Sequence, residues 1–397
     1  MITRPTLDDI RAAGERLAGV AQVTPLHSSG TLSNLVGRPV SLKAENLQLT
    51  GSFKIRGAYN TIAQLTESER AAGVVTSSAG NHGQAVAWAA RQAGIPATIF
   101  VPDGAPMAKF DAAVGYGATV INAGAGFDEA VAAGLRHVEE TGATFVHAFD
   151  NPRVIAGQGT LGLELAEQLP PGPGTVVIPV GGGGLASGIA LALRALRPEL
   201  SLVGVQAAAC APFAGRAPIG PTNADGIAVK YPAELTSGIL RDLLDSVVVV
   251  DDAAISQALV LLLERSKLVV EGAGAAPVAA LLQGLVPGDT PACAVLAGGN
   301  IDATTLVSVT RFGLTSSGRY LVVAVLIPDR PGQLARIVAA AAAQQANVLA
   351  VTHHREGRNI GVLQTEAELT LETRGEEHSQ EIVAALAADG LAVRRLT

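Results

Sequence analysis

Lys54 has no acidic neighbour in its own stretch of chain. In Gly51-Ser52-Phe53-Lys54-Ile55-Arg56-Gly57-Ala58 it sits among small and apolar residues, and no acid follows until Glu67. A lysine on a surface helix commonly has an acid three or four residues away. One that lacks such a partner and is withdrawn from water tends to lose its proton, and the free amine can form a Schiff base with a carbonyl. Two loops elsewhere could hold an anion. Ser77-Ser78-Ala79-Gly80-Asn81-His82-Gly83-Gln84 follows the β-like run Gly73-Val74-Val75-Thr76 and precedes the helical pattern Ala85 to Ala90. Backbone N–H groups at such a helix N-terminus favour an anion, and Asn81 adds a side chain that donates and accepts. Gly181-Gly182-Gly183-Gly184 lies between strand-like Thr175 to Val180 and the helical run Leu185 to Leu191, where bare backbone can wrap a phosphate. Either loop alone also reads as a tight turn. Taken together, the amine, the anion loop with its asparagine and the glycine cradle suggest pyridoxal 5′-phosphate. That cofactor needs an amine for its aldehyde, a cradle for its phosphate and a cup for the substrate carboxylate.

The elements that must position these residues alternate. Short Val/Ile-rich runs (Ala97 to Val101, Ala118 to Asn122, Thr144 to His147, Thr175 to Val180, Leu202 to Gln206, Val247 to Val250, Ala292 to Leu296) are separated by Ala-rich helical stretches. This order implies an α/β fold with right-handed crossovers and parallel sheets covered on both faces. Thr6 reads as a helix N-cap, with Asp8 and Asp9 in the first turn. Leu314-Thr315-Ser316-Ser317-Gly318 reads as a linker between residues 1–315 and a second domain, 319–397. In that second domain Arg319 to Pro328, Val348 to Arg355, Gly361 to Glu372 and Leu391 to Leu396 read as strands. Gln333 to Gln345 and Glu376 to Ala388 read as helices. The resulting βαββαβ order is that of a ferredoxin-like unit. Its strands lack stacking aromatics, which argues against RNA as a ligand. His353 and His354 are adjacent on one strand and point to opposite faces, so they do not pair on a metal.

Composition agrees with these readings. The chain has 397 residues, 48% hydrophobic and 16% charged, with formal charge −7 and a pI near 5.6. That length suits two or three domains with a buried core. An acidic balance without Lys/Arg blocks excludes nucleic acid and anionic membranes as expected partners. The apolar stretch Leu268 to Val286 is broken by Glu271, Gly and Pro, so no membrane span is expected. Met1-Ile2-Thr3-Arg4-Pro5 lacks a signal-peptide core, and only Cys210 and Cys293 are present. Both features fit a reducing cytoplasm.

SFKIRGA, SSAGNHGQ, PVGGGGL and AGGNID (Ala297 to Asp302) occur in the order found in the threonine ammonia-lyases. Glu45-Asn46-Leu47-Gln48, His147-Ala148-Phe149-Asp150, Ala156 to Thr160, Ala224 to Val229 and Glu271-Gly272-Ala273-Gly274 extend the likeness from about Thr3 to Gly313. The chain thus resembles the tryptophan-synthase-β-like, fold-type-II pyridoxal phosphate enzymes, which also include serine dehydratases and serine racemases. The resemblance implies two parallel-sheet lobes with the cofactor in the cleft between them. The smaller lobe would run from about Gly51 to His147, and the larger would use the flanking segments. Lys54 would hold the cofactor and act as general base. Asn81 would meet the phenolic oxygen, and Gly181, Gly182, Gly183, Gly184 and Leu185 would hold the phosphate. Ser78, Ala79, Gly80, Asn81 and His82 would cup the carboxylate, with Phe53 and Phe149 packing the ring and pocket.

Some positions depart from the family. Ala297 stands where a Ser or Cys usually meets the pyridine nitrogen, and Ala148 replaces a usual proline. Gln206 and Pro212 replace carboxylates of the divalent-cation site of serine racemases, so no metal is expected. Ala79 replaces the serine that supplies the racemases' second acid. Asp329, Gly332, Leu334 and Asn347 resemble ACT domains, which implies an amino-acid effector. A branched-chain amino acid such as isoleucine or valine would suit an enzyme of isoleucine biosynthesis, in a homodimer or homotetramer. The expected activity is deamination of L-threonine to 2-oxobutanoate, and of L-serine to pyruvate. A racemase, a 3-hydroxyaspartate ammonia-lyase and a cofactor-binding sensor without turnover are the alternatives.

Overall fold

Thr6 caps the first helix, Leu7–Leu17, through a capping box in which Asp9 N donates to Thr6 Oγ1 and Thr6 N donates back to Asp9 Oδ2. The computed structural model describes residues 3–104, 110–356, 360–388 and 390–397. These residues form two compact units, one ending at Thr305 and the other beginning at Leu306.

The first unit contains two sheets. The larger is built from β1 (Leu26–Ser28), β2 (Val40–Lys43), β7 (Gly174–Pro179), β8 (Leu200–Ala207), β9 (Ser246–Val250) and β10 (Ala292–Val295), in the order β1-β2-β10-β7-β8-β9. The smaller uses β3 (Val74–Ser77), β4 (Ala97–Val101), β5 (Thr119–Asn122) and β6 (Thr144–Phe145), in the order β5-β4-β3-β6. All pairings are parallel except that of β1 with β2, which is antiparallel. The α/β parallel-sheet expectation therefore holds, with one antiparallel edge strand in addition. That strand has only three residues, too few for a pattern to show in sequence.

Each sheet has its own core. Val176, Ile178, Val295 and Ala297 pack with Leu161, Leu185 and Ile189 around the larger sheet. Val74, Ile99 and Val101 pack with Ala58, Ile62 and Val86 around the smaller. The helix Lys54–Ile62 lies beside both Asn81–Ala93 and Pro152–Gln168. A buried charge network anchors it. Arg56 donates through Nε and Nη2 to Glu45 (2.8 Å each) and pairs through Nη1 with Glu164 (2.6 Å). Glu164 also takes Lys43 Nζ at 2.5 Å.

The second unit carries one antiparallel sheet, from β11 (Tyr320–Pro328), β12 (Asn347–His354), β13 (Gln364–Glu372) and β14 (Ala392–Arg395), in the order β12-β13-β11-β14. Helices Gln333–Ala343 and Glu376–Ala388 complete a βαββαβ order. Leu321, Val323, Val325, Leu369, Leu371, Ile337 and Ile382 form its core. Residues 314–318, expected as a linker, instead end the helix Ala303–Ser316. Ser316 and Ser317 return their hydroxyls to Phe312 O and Leu314 O, so these residues satisfy the last helical turn rather than break it. The stop comes at Gly318, whose φ of +67° suits glycine.

Candidate active site

Lys54 is the first residue of its helix, and its Nζ donates to Ala148 O at 3.1 Å while lying 5.1 Å from the centre of the Phe53 ring. Burial lowers its pKa to about 8, and the nearby Glu271 carboxylate offsets part of that fall. An amine of this kind is partly neutral near pH 8, whereas a solvated lysine is almost wholly charged. Capture of pyridoxal phosphate by cofactor-free protein, followed by stopped-flow absorbance, should therefore speed up with pH along a curve centred near 8. A midpoint near 10.5 would mean that Lys54 is solvated.

The next residue after Ala148 leads to the glycine loop. A methyl group added to Gly182 would lie 2.2 Å from Phe149 Cδ1, and one on Gly184 would lie 2.9 Å from Phe149 Cα. Gly183 has φ +88° and begins the helix Gly184–Leu196 without a side-chain cap. Leu185 is buried in the first turn. Glycine is thus required twice over here, by crowding against Phe149 and by the left-handed turn. Phe149 is held in turn by His147, whose ring meets it edge-on at 4.7 Å and whose Nδ1 accepts from the N–H groups of Phe149 and Asp150.

The loop Ser78-Ala79-Gly80 leads into Asn81–Ala93, which also has no side-chain cap. Ser78 Oγ accepts from Gly80 N at 3.2 Å, while Ser78, Ala79, Gly80 and Asn81 are half-buried. His82 is buried, with its Nε2 2.9 Å from Val146 O. Burial first, and the Lys54 charge second, push its pKa down to about 3, so the ring is neutral near pH 7. Ala297 is buried, and its carbonyl accepts from Phe53 N at 3.1 Å. Gln206 spends its amide on Val180 O and Ala214 N. Among the described residues no group of three or more His, Cys, Asp or Glu side chains could hold a metal.

Sequence reasoning missed two side chains that meet Asn81. Glu271 is buried, and Asn81 Nδ2 donates to both its carboxylate oxygens, at 2.9 and 3.0 Å. Asn300 Nδ2 donates to Asn81 Oδ1 at 2.8 Å. Both lie in motifs already noted, and an acid at the edge of the long apolar run 268–286 was the available signal for Glu271.

The four effector candidates of the second unit are not brought together in one chain. Asp329 and Gly332 follow the end of β11, while Asn347 begins β12 and pairs with Glu372, itself opposite Tyr320 at the start of β11. They lie at opposite ends of a nine-residue strand, roughly 27 Å apart at about 3.4 Å per residue. The β-helix-β crossover returns the chain to the end of the sheet where it began, which causes the separation. Leu334 packs against the core.

A half-buried amine of lowered pKa, two helix N-termini without side-chain caps and a glycine loop crowded against Phe149 suit a phosphate-bearing aldehyde. A family model described as "Pyridoxal-phosphate dependent enzyme" matches residues 18–298, and the chain belongs to that family. An L-threonine ammonia-lyase of Thermotoga maritima is 46% identical over 397 residues, covering 98% of this chain and 99% of the relative. The solved processed form of threonine deaminase isoform 2 from Solanum lycopersicum is 33% identical with TM-score 0.72, over 79% of this chain and 91% of that one. Maize serine racemase is 36% identical with TM-score 0.73, over 77% and 97%. The residues present fit the cofactor: Lys54 supplies an amine of lowered pKa, and the crowded glycines leave N–H groups free for a phosphate.

Proposed function

We propose that the protein is an L-threonine ammonia-lyase that also deaminates L-serine. The observation that carries this reading is the 46% identity to an enzyme of that name along nearly the whole of both chains, C-terminal unit included. When bound, pyridoxal phosphate supplies a sink for the electron pair left on the substrate's α-carbon. Lys54 would hold it through its side-chain amine and would serve as the base that takes the α-proton. The N–H groups of Gly181 to Leu185 bind the phosphate, and those of the Ser78 to His82 loop bind the substrate carboxylate. Asn81 donates to the phenolic oxygen, while Phe53 and Phe149 wall the ring.

The racemase reading draws support from the likeness to maize serine racemase. It requires an acid on the face opposite Lys54, and Ala79 carries no dissociable proton. Incubation with L-threonine is expected to release 2-oxobutanoate, and L-serine to give pyruvate with little D-serine. D-serine formed at a rate comparable to pyruvate would sink the lyase reading. Absence of any keto acid would favour the sensor without turnover, which Ala297 alone recommends.

The second unit supports a regulatory reading as an ACT domain, through its βαββαβ order and through Gly332, whose φ of +91° starts the helix Gln333–Ala343 without a side-chain cap. Because Asn347 lies at the far end of the sheet from Asp329 and Gly332, an effector pocket using all three would draw on two chains, in a homodimer or homotetramer. The effector would be isoleucine or valine, with a coupling of about 1–3 kcal/mol between effector and substrate sites. Cutting the chain after Gly318 is expected to leave turnover but abolish the shift in threonine saturation caused by these amino acids. No shift in the full-length enzyme with any proteinogenic amino acid would leave the unit an assembly role only.

A further inference from the structure

We propose that Glu271 and Asn300 are positioning residues that fix the Asn81 side-chain amide in one of its two orientations, with Nδ2 turned toward Glu271 so that one N–H spans both carboxylate oxygens and the other is left for the cofactor. The inference rests on the reading of Asn81 as a contact of the cofactor, because a phenolic oxygen calls for a donor. An asparagine amide is nearly symmetrical in shape, and a flip exchanges donors for an acceptor. Asn81 is gripped from both sides. Its Nδ2 donates to the two Glu271 oxygens at 2.9 and 3.0 Å, and its Oδ1 accepts from Asn300 Nδ2 at 2.8 Å. Asn300 is itself fixed, because the same Nδ2 donates to Thr50 O at 2.7 Å.

The chain of bonds therefore ends in a backbone carbonyl on one side and a carboxylate on the other. Neither can donate, so the order cannot be reversed. A flipped Asn81 would set its oxygen against the Glu271 carboxylate and its nitrogen against that of Asn300. The chain also joins the two sheets of the first unit. Asn81 begins the helix that follows β3 of the smaller sheet, whereas Asn300 follows β10 of the larger and Glu271 donates its N–H to Gly298 O beside it. Glu271 further holds up the protonated form of Lys54, so one carboxylate orients Asn81 and tunes the amine.

The test uses cofactor-free full-length protein. Asn81→Asp sets two carboxylates against each other and is expected to lower the thermal midpoint by about 5 °C. The loss should shrink at low pH, where the pair can share a proton. Adding Glu271→Gln, whose amide can donate to the carboxylate introduced at position 81, should restore most of it. Glutamine and glutamate have nearly the same shape, so a purely packing role for Glu271 predicts no rescue. At the other end, Asn300→Asp turns the donor into an acceptor facing the oxygens of Thr50, Asn81 and, more distantly, Gln84. It should cost more than Asn300→Ala, although aspartate is closer to asparagine in shape. Failure of the rescue, or equal losses for the two Asn300 variants, overturns the proposal. Pyridoxal phosphate affinity from equilibrium dialysis separates this from the reading beneath it. Rescue of stability with affinity unchanged across the series would support the hydrogen-bond order and count against Asn81 as a cofactor contact.

Discussion

Lys54→Ala is expected to lower threonine turnover by more than about a thousandfold. Loss of a general base alone costs about 10²–10⁴-fold, and the covalent anchor for the cofactor goes with it. Borohydride reduction of the wild-type holoenzyme should fix the cofactor to the peptide bearing Lys54, and the variant should retain none after dialysis. The prediction discriminates because a second lysine, Lys43, is more deeply buried than Lys54. Lys43 Nζ, however, is held by Thr24 O at 2.7 Å, Gln168 Oε1 at 2.8 Å and Glu164 at 2.5 Å, so its charge is paired and its donors are spent. Burial lowers the pKa of both amines, but Lys54 donates to the Ala148 carbonyl and stands beside Phe149, which packs on the glycine loop. Cofactor trapped on Lys43, or turnover within tenfold of wild type in the variant, would falsify the assignment.

Arg56→Leu should produce the largest loss of stability among single substitutions in the buried charge network. It strands Glu45, which is fully buried, and removes one of two cations from Glu164. Breaking a buried ion pair from one side costs about 3–5 kcal/mol, because the remaining charge stays out of water unpaired. The exposed pair Arg4–Asp242 is the control. Its side chains are 43% and 53% accessible, so Arg4→Leu should cost at most about 1 kcal/mol. Urea unfolding of the two variants side by side gives the comparison. Equal losses would mean that the buried network contributes no more than a surface pair.

The sequence exposed local signals and hid those that depend on distant partners. The runs at Ala97 to Val101 and Thr175 to Val180 became β4 and β7 because strands covered on both faces are continuously apolar. The glycine and Ser78–His82 loops were legible for a related reason: each sits between a strand and a helix that announce themselves. Residues 314–318 misled because Ser and Thr favour loops by composition, yet here their hydroxyls satisfy helical carbonyls. Glu271 and Asn300 could not be assigned, since their partner Asn81 is 190 and 219 residues away in the chain. The same holds for Lys43, Glu45, Arg56 and Glu164, where only the folded packing shows that these charges share one pocket. Asp329 and Asn347 belong to one resemblance in sequence, but only the folded crossover shows that they stand at opposite ends of the sheet.

The buried charge network has a kinetic consequence for the cleft. The helix that begins at Lys54 is tied by Arg56 to Glu45 and Glu164 away from solvent, so its amides open for hydrogen exchange only when much of the first unit unfolds. The facing helix, Asn81–Ala93, is held at its first residue by side-chain bonds, one of them to the exposed Asn300. Of the two helices, the one that begins at Lys54 is expected to exchange its amides more slowly than Asn81–Ala93, whose ties at Asn81 include one to an exposed side chain.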